Sequence, residues 1–130
     1  MNIFLNLPVA DTARSRAFFA ALGFAFDERF SDDTAICMKI SDKAYAMLLT
    51  RARFAGFARL PVADETQATA HMIALQLPDR AAVDAMVATA LAHGGGTVRD
   101  PEDHGWMYGH AFTDPDGHVW EPFFAEGQPE

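Results

Sequence analysis

The chain repeats one order of elements, and that repeat constrains the fold more than any single residue does. Residues 2–8, NIFLNLP, read as a strand. Asp11 then stands where it caps a helix over TARSRAFFAALG, with Ala17, Phe18, Ala21 and Leu22 on one stripe and Gly23 as the left-handed stop. Three strands are predicted at 24–30, 34–40 and 45–50, the last two joined by a tight turn, SDKA. Residues 51–69 lack a period and hold Gly and Pro, so they are predicted as a linker with at most one helical turn. Then the order restarts. A strand at 71–77 leads to Asp79, which caps the helix RAAVDAMVATALAHG on a stripe of Val83, Met86, Val87, Ala90 and Leu91. Gly94 to Gly96 break that helix, and strands follow at 96–100, 106–112 and 118–124. Neither half can bury both faces of its own sheet, so the halves must share a surface. The expectation is an α+β fold: two tandem βαβββ modules forming a curved eight-stranded sheet around a cavity, with the helices on its outer face. Module one is 1–50, the linker 51–69 and module two 70–125, within a single domain of 1–130.

A chain of 130 residues, half of them hydrophobic and eleven of them Phe, can fill a core and line a pocket. Its net charge of −8 repels nucleic-acid backbones and anionic membranes, so neither is expected as a partner. A cationic small molecule is compatible with it. One cysteine, Cys37, allows no intrachain disulfide. With no basic leader ahead of an apolar run, and no stretch near the length of a membrane span, the expected location is cytoplasmic.

Two stretches, LPVADTARSRAFFAALGF near the start and FTDPDGHVWE near the end, carry a resemblance. With the repeated βαβββ order, the sequence resembles the vicinal oxygen chelate superfamily, which includes glyoxalase I, extradiol dioxygenases, and fosfomycin- and bleomycin-resistance proteins. The resemblance covers residues 2–124. Members that use a metal take ligands from the first and last strand of each half. Carried over residue by residue, those positions fall on Phe4, Leu48, Met72 and Glu121. Only Glu121 is a donor that suits a metal, and a site of this kind needs about three protein ligands. No cofactor is therefore expected. The alternative is a rearranged site for Ni, Mn, Fe or Zn built from Glu121, His71 and His104. It requires His71, one residue ahead of Met72, to share the face of Glu121, which strand alternation opposes.

Alternation sorts the remaining candidates. Ile36, Met38 and Ile40 form the apolar set that packs under the helix, which leaves Cys37 and Lys39 on the cavity side. A tight SDKA turn pairs Cys37 with Leu48 and Lys39 with Ala46. Lys39 there would orient an anion or lower the Cys37 thiol pKa; the plainer reading is a small buried thiol and a lysine reaching the rim. In the second half, Pro115-Asp116-Gly117 suits a three-residue loop with glycine left-handed. That register pairs Asp114 with His118 and Ala111 with Glu121, and puts Met107, Gly109 and Ala111 on the cavity side. His110 and His118 then share the helix-facing side with Trp120 and are read as structural. Asn6 shares the face of Phe4 and offers an amide, and His104 lies in a loop near the cavity mouth. Glu121, between Val119 and Phe123 on its face, is the candidate acid, base or ligand anchor.

The function expected from the resemblance is a glyoxalase- or bleomycin-resistance-like protein that binds a small organic molecule in an apolar cavity without the usual metal site. Phe4, Phe54 and Phe57 are the rings expected to stack on it. The alternative is a metal-dependent enzyme of the lyase or dioxygenase type using Glu121. A third reading is a structural or regulatory dimer whose cavity is filled by its own side chains. Greasy strand faces with few edge charges make a homodimer the expected assembly.

Overall fold

The computed structural model describes residues 1–127, which fold into two compact units, Met1–Asp64 and a second that begins at Glu65. Both units are α+β and share one topology. In the first, β1 (Ile3–Val9) is followed by α1 (Thr12–Ala21), β2 (Ala25–Phe26), β3 (Ala35–Lys39), β4 (Ala44–Thr50) and α2 (Arg51–Phe57). The sheet order is β1-β4-β3-β2, with β1 parallel to β4 and the other pairs antiparallel. Asp11 accepts the Arg14 N–H and opens α1; Gly23, at φ 96°, closes it. The buried stripe of α1 is Ser15, Phe18 and Phe19, so Ala17 and Ala21 are exposed where the sequence pattern placed them inward. Phe18 and Phe19 meet edge to face at 5.0 Å, against the sheet side formed by Leu7, Ile36, Met38, Ala46 and Leu48. Burying each ring is worth about 1.5–3 kcal/mol.

Three details of this unit depart from the sequence reading. The predicted strand 24–30 stops at Phe26, because the Asp27 side chain accepts the Arg29 N–H and starts a 3₁₀ turn over Glu28–Phe30. Within the predicted linker, Thr50 caps a seven-residue helix, α2, through the Arg53 N–H. The β3–β4 hairpin closes through the Ile40 N–H on the Ala44 carbonyl, an odd loop of three residues. Cys37 therefore pairs with Met47 and Lys39 with Tyr45, while Leu48 pairs with Ile36. A one-residue slip turns a strand over, and Leu48 lies fully buried on the helix side instead of beside Cys37.

In the second unit β5 (Met72–Gln76) leads to α3 (Arg80–Ala92), then β6 (Gly96–Thr97), β7 (Glu102–Asp103), β8 (Met107–Gly109), β9 (Phe112–Thr113) and β10 (Val119–Ala125). β5 runs parallel to β10, β8 and β9 pair antiparallel to β10, and β7 and β6 flank them. Asp79 accepts the Ala82 N–H at the start of α3. Val83, Val87 and Ala90 are buried, and α3 lies against β10, β9 and β6. The predicted strand 106–112 is split. His110 donates its N–H to the Pro122 carbonyl at 3.0 Å, but Pro122 has no N–H to return, and the ladder breaks at that pair. Register is kept across the break: Gly109 pairs with Phe123 and Phe112 with Trp120, which brings Ala111 level with Glu121 as expected.

Candidate functional site

In the second unit, one side of β10 presents Val119, Glu121 and Phe123 and the other presents Trp120 and Pro122, with His118 just ahead of the strand. Trp120 and Phe112 are fully buried on the α3 side, so Glu121 faces away from the helix. There it lines a cavity of about 240 Å³ with Ala74, Met107, Gly109 and Phe123 as the apolar wall. The polar end is Arg99, Glu102 and Glu121. Arg99 donates to the Glu121 carboxylate and also lies 3.4 Å from Glu102, whose other oxygen is 3.4 Å from His104 Nε2. Glu121 is thus neither a solvated charge nor a bare acid: an arginine that the sequence reading passed over holds it. The only signal for Arg99 was its place among few basic residues on a strongly acidic chain, and nothing local ties it to a carboxylate 22 residues away.

The first unit has its own cavity, of about 390 Å³, between α2 and the sheet face away from α1. Asn6, Leu49, Phe54, Phe57 and Ala58 line it. The structure therefore gathers three predicted ligand residues here, Asn6, Phe54 and Phe57, and in the other unit two, Met107 and Gly109, beside the predicted catalytic residue Glu121. Phe4, half exposed, stacks on Tyr45 at 4.8 Å and 11°. Met72 is exposed beside Val119, and Ala111 is buried. Lys39 is paired with Asp42 at 3.2 Å on the surface. Burial, and then the negative charge of Asp27, push the Cys37 thiol up, opposite to an activated thiol.

The family's metal positions do not fit a metal with the residues present. Phe4 and Met72 offer no donor suited to a divalent ion, and Leu48 is turned to the core. Met47, its neighbour on the open face, is also apolar, and Glu121 is engaged by Arg99. His71 is not gathered with Glu121 either. Its ring stacks on that of His118 at 5.8 Å, on the helix side of β10, and its Nδ1 lies 3.5 Å from Glu65 Oε1. Among the described residues, Glu65, His71 and His118 form the one group of three with ligand atoms close enough for an ion, all within 4.8 Å of one another. Glu65 sits in the stretch read as linker, where nothing in the sequence marked it.

Next to this group, Asp114 is buried and organises the turn into β10. It accepts the N–H groups of Asp116 and His118 and the Trp120 indole N–H, at 2.9, 3.1 and 3.1 Å. Burial pushes its carboxyl above the ordinary value, against the opposing pull of His118 and of the indole bond. Gly117, at φ 89°, completes the turn.

Two units of one strand–helix–strand topology, each pairing its first strand parallel to its last, with a carboxylate on the final strand, define a glyoxalase-type protein. The sequence profile of the Glyoxalase/Bleomycin resistance protein/Dioxygenase superfamily matches residues 3–121, and the chain belongs to that superfamily. A comparison with curated proteins found no match. Among solved structures, a hypothetical protein from S. aureus is 26% identical over 96% of this chain and 94% of its own, with a TM-score of 0.83. A glyoxalase-related enzyme from Fulvimarina pelagi is 18% identical over 99% and 91%, at 0.84. The bleomycin resistance determinant encoded on transposon Tn5 is 21% identical over 98% and 99%, at 0.66. At such identities the last two speak for the fold alone.

Proposed function

We propose that this chain is a binding member of its superfamily, which takes up a small organic molecule with an apolar body and a cationic or donor group, without a metal at the family positions. The observation that carries this reading is the donor set. The family positions hold Phe4, Met72 and a core-facing Leu48, and the remaining carboxylate, Glu121, is held by Arg99 at the end of an apolar cavity. Glu102 and Glu121 outweigh the single Arg99, so the polar end keeps a net negative charge suited to a cation. Met107 and Phe123 offer the ligand an apolar wall. Binding would exchange part of the Arg99 pairing for the ligand's own charge.

The test is a backbone-amide NMR titration with a planar aromatic cation, N-methylacridinium, in the presence of chelator. Shifts should centre on β8 and β10. Glu121→Gln should weaken binding about tenfold, near 1.4 kcal/mol. Arg99→Gln should tighten it several-fold, because it frees the carboxylate. Binding that appears only on adding metal, or that ignores both substitutions, would overturn the reading.

A further inference from the structure

We propose that Glu65, His71 and His118 bind a divalent transition-metal ion of the zinc class, on the α3 side of the second sheet and apart from Glu121 and the family positions. The separations suit ligands better than a hydrogen-bonded pair. His71 Nδ1 and Glu65 Oε1 are 3.5 Å apart, beyond the usual range of an N–H···O bond. Two ligands of a tetrahedral zinc ion, each about 2.1 Å from it, stand about 3.4 Å apart. The widest separation in the set, within 4.8 Å, exceeds that by at most about 1.4 Å, and the partly exposed His71 side chain leaves the group room to adjust.

The surrounding chain holds the set in place. A Cβ at Gly117 would lie 2.7 Å from the Glu65 carbonyl oxygen, so only glycine lets the Glu65 backbone rest on the turn ahead of His118. Asp114 fixes the backbone of His118 from the other side. The Glu65 side chain is only 6% exposed, so its carboxylate stays close to the two rings. Two imidazoles and one carboxylate select zinc, nickel, cobalt or copper over magnesium or calcium, which take oxygen ligands. Three protein ligands leave a fourth position for water. Bound there, the ion staples the segment ahead of β5 to the β9–β10 turn.

The experiment uses the full chain after chelator treatment. Zn²⁺ affinity is read by competition with a chromophoric chelator, Co²⁺ by its visible absorption, and the melting temperature with and without one equivalent of Zn²⁺. One equivalent should bind and raise the melting temperature. His71→Gln and Glu65→Gln, each checked for folding by circular dichroism, should lose at least about tenfold in affinity along with the thermal shift. Glu121→Gln should bind as the unaltered chain does. Absence of stoichiometric binding, binding that survives both His71→Gln and Glu65→Gln, or binding lost in Glu121→Gln would each overturn the proposal.

Discussion

Gly117→Ala separates two costs that glycine usually hides together. The first is conformational: at φ 89° an alanine is in the left-handed region, at about 1–2 kcal/mol. The second is contact. The new Cβ would stand 2.7 Å from Glu65 O, 2.8 Å from Glu65 C and 2.9 Å from Thr66 N. These are backbone atoms, so no side-chain rotation relieves them, and moving the segment adds about 1–3 kcal/mol. The sum is about 2–5 kcal/mol. Gly94→Ala is the control, since Gly94 has φ 101° and nothing within 4 Å of its Cβ; it should carry the first cost alone. Urea denaturation of both variants reads the difference. With a slope of about 1–3 kcal/mol per molar, Gly117→Ala should lower the midpoint by about 1 M or more, and by clearly more than Gly94→Ala. Equal losses in the two variants would refute the close approach of Glu65 to the turn, and with it the placement of Glu65 beside His118.

Trp120→Phe removes the indole N–H that Asp114 Oδ2 accepts at 3.1 Å inside the core, and should cost about 2–4 kcal/mol in the same assay; a loss under about 1 kcal/mol would contradict the buried bond. The Cys37 thiol, raised by burial, should react with iodoacetamide only on opening of the fold, and rapid labelling of native protein would contradict its burial. Because its native pKa lies above the unfolded one, its share of stability is full below the ordinary thiol value and lost as pH rises through the native value, so Cys37→Ala should flatten the alkaline limb of stability against pH.

How far the fold could be read ahead depended on how much local chemistry each joint carries. Asp11 and Asp79 announce their helices because a side-chain oxygen at the cap answers a backbone N–H three residues on. The β9–β10 register was legible for a similar reason: Asp114 and a left-handed Gly117 specify the loop length between them. Ser41-Asp42-Lys43 carries no such signature, and the β3–β4 register slipped by one, enough to misplace Leu48. Alternation correctly set His71 against the face of Glu121, but its partners depend on where the chain ahead of β5 returns. Glu65 lies in the stretch read as linker and Arg99 in a predicted strand, 96–100, that stops at Thr97, so the roles of both arise where only the fold brings those segments back to β10.

β10 makes the two candidate sites depend on one register. His118 continues the ladder just ahead of the strand, an odd number of residues from Glu121, so the two look to opposite sides of the sheet. Any one-residue slip at the preceding turn would turn Glu121 toward α3 and His118 toward the cavity, and remove both sites together. Asp114 opposes that slip. It binds the backbone at Asp116 and His118 and the side chain of Trp120 at once, and in a shifted register those three donors would not meet one buried carboxylate. The energetic cost of burying that charge is therefore tied to alignment. The same carboxylate that holds Trp120 in the core keeps Glu121 at its cavity and His118 beside His71.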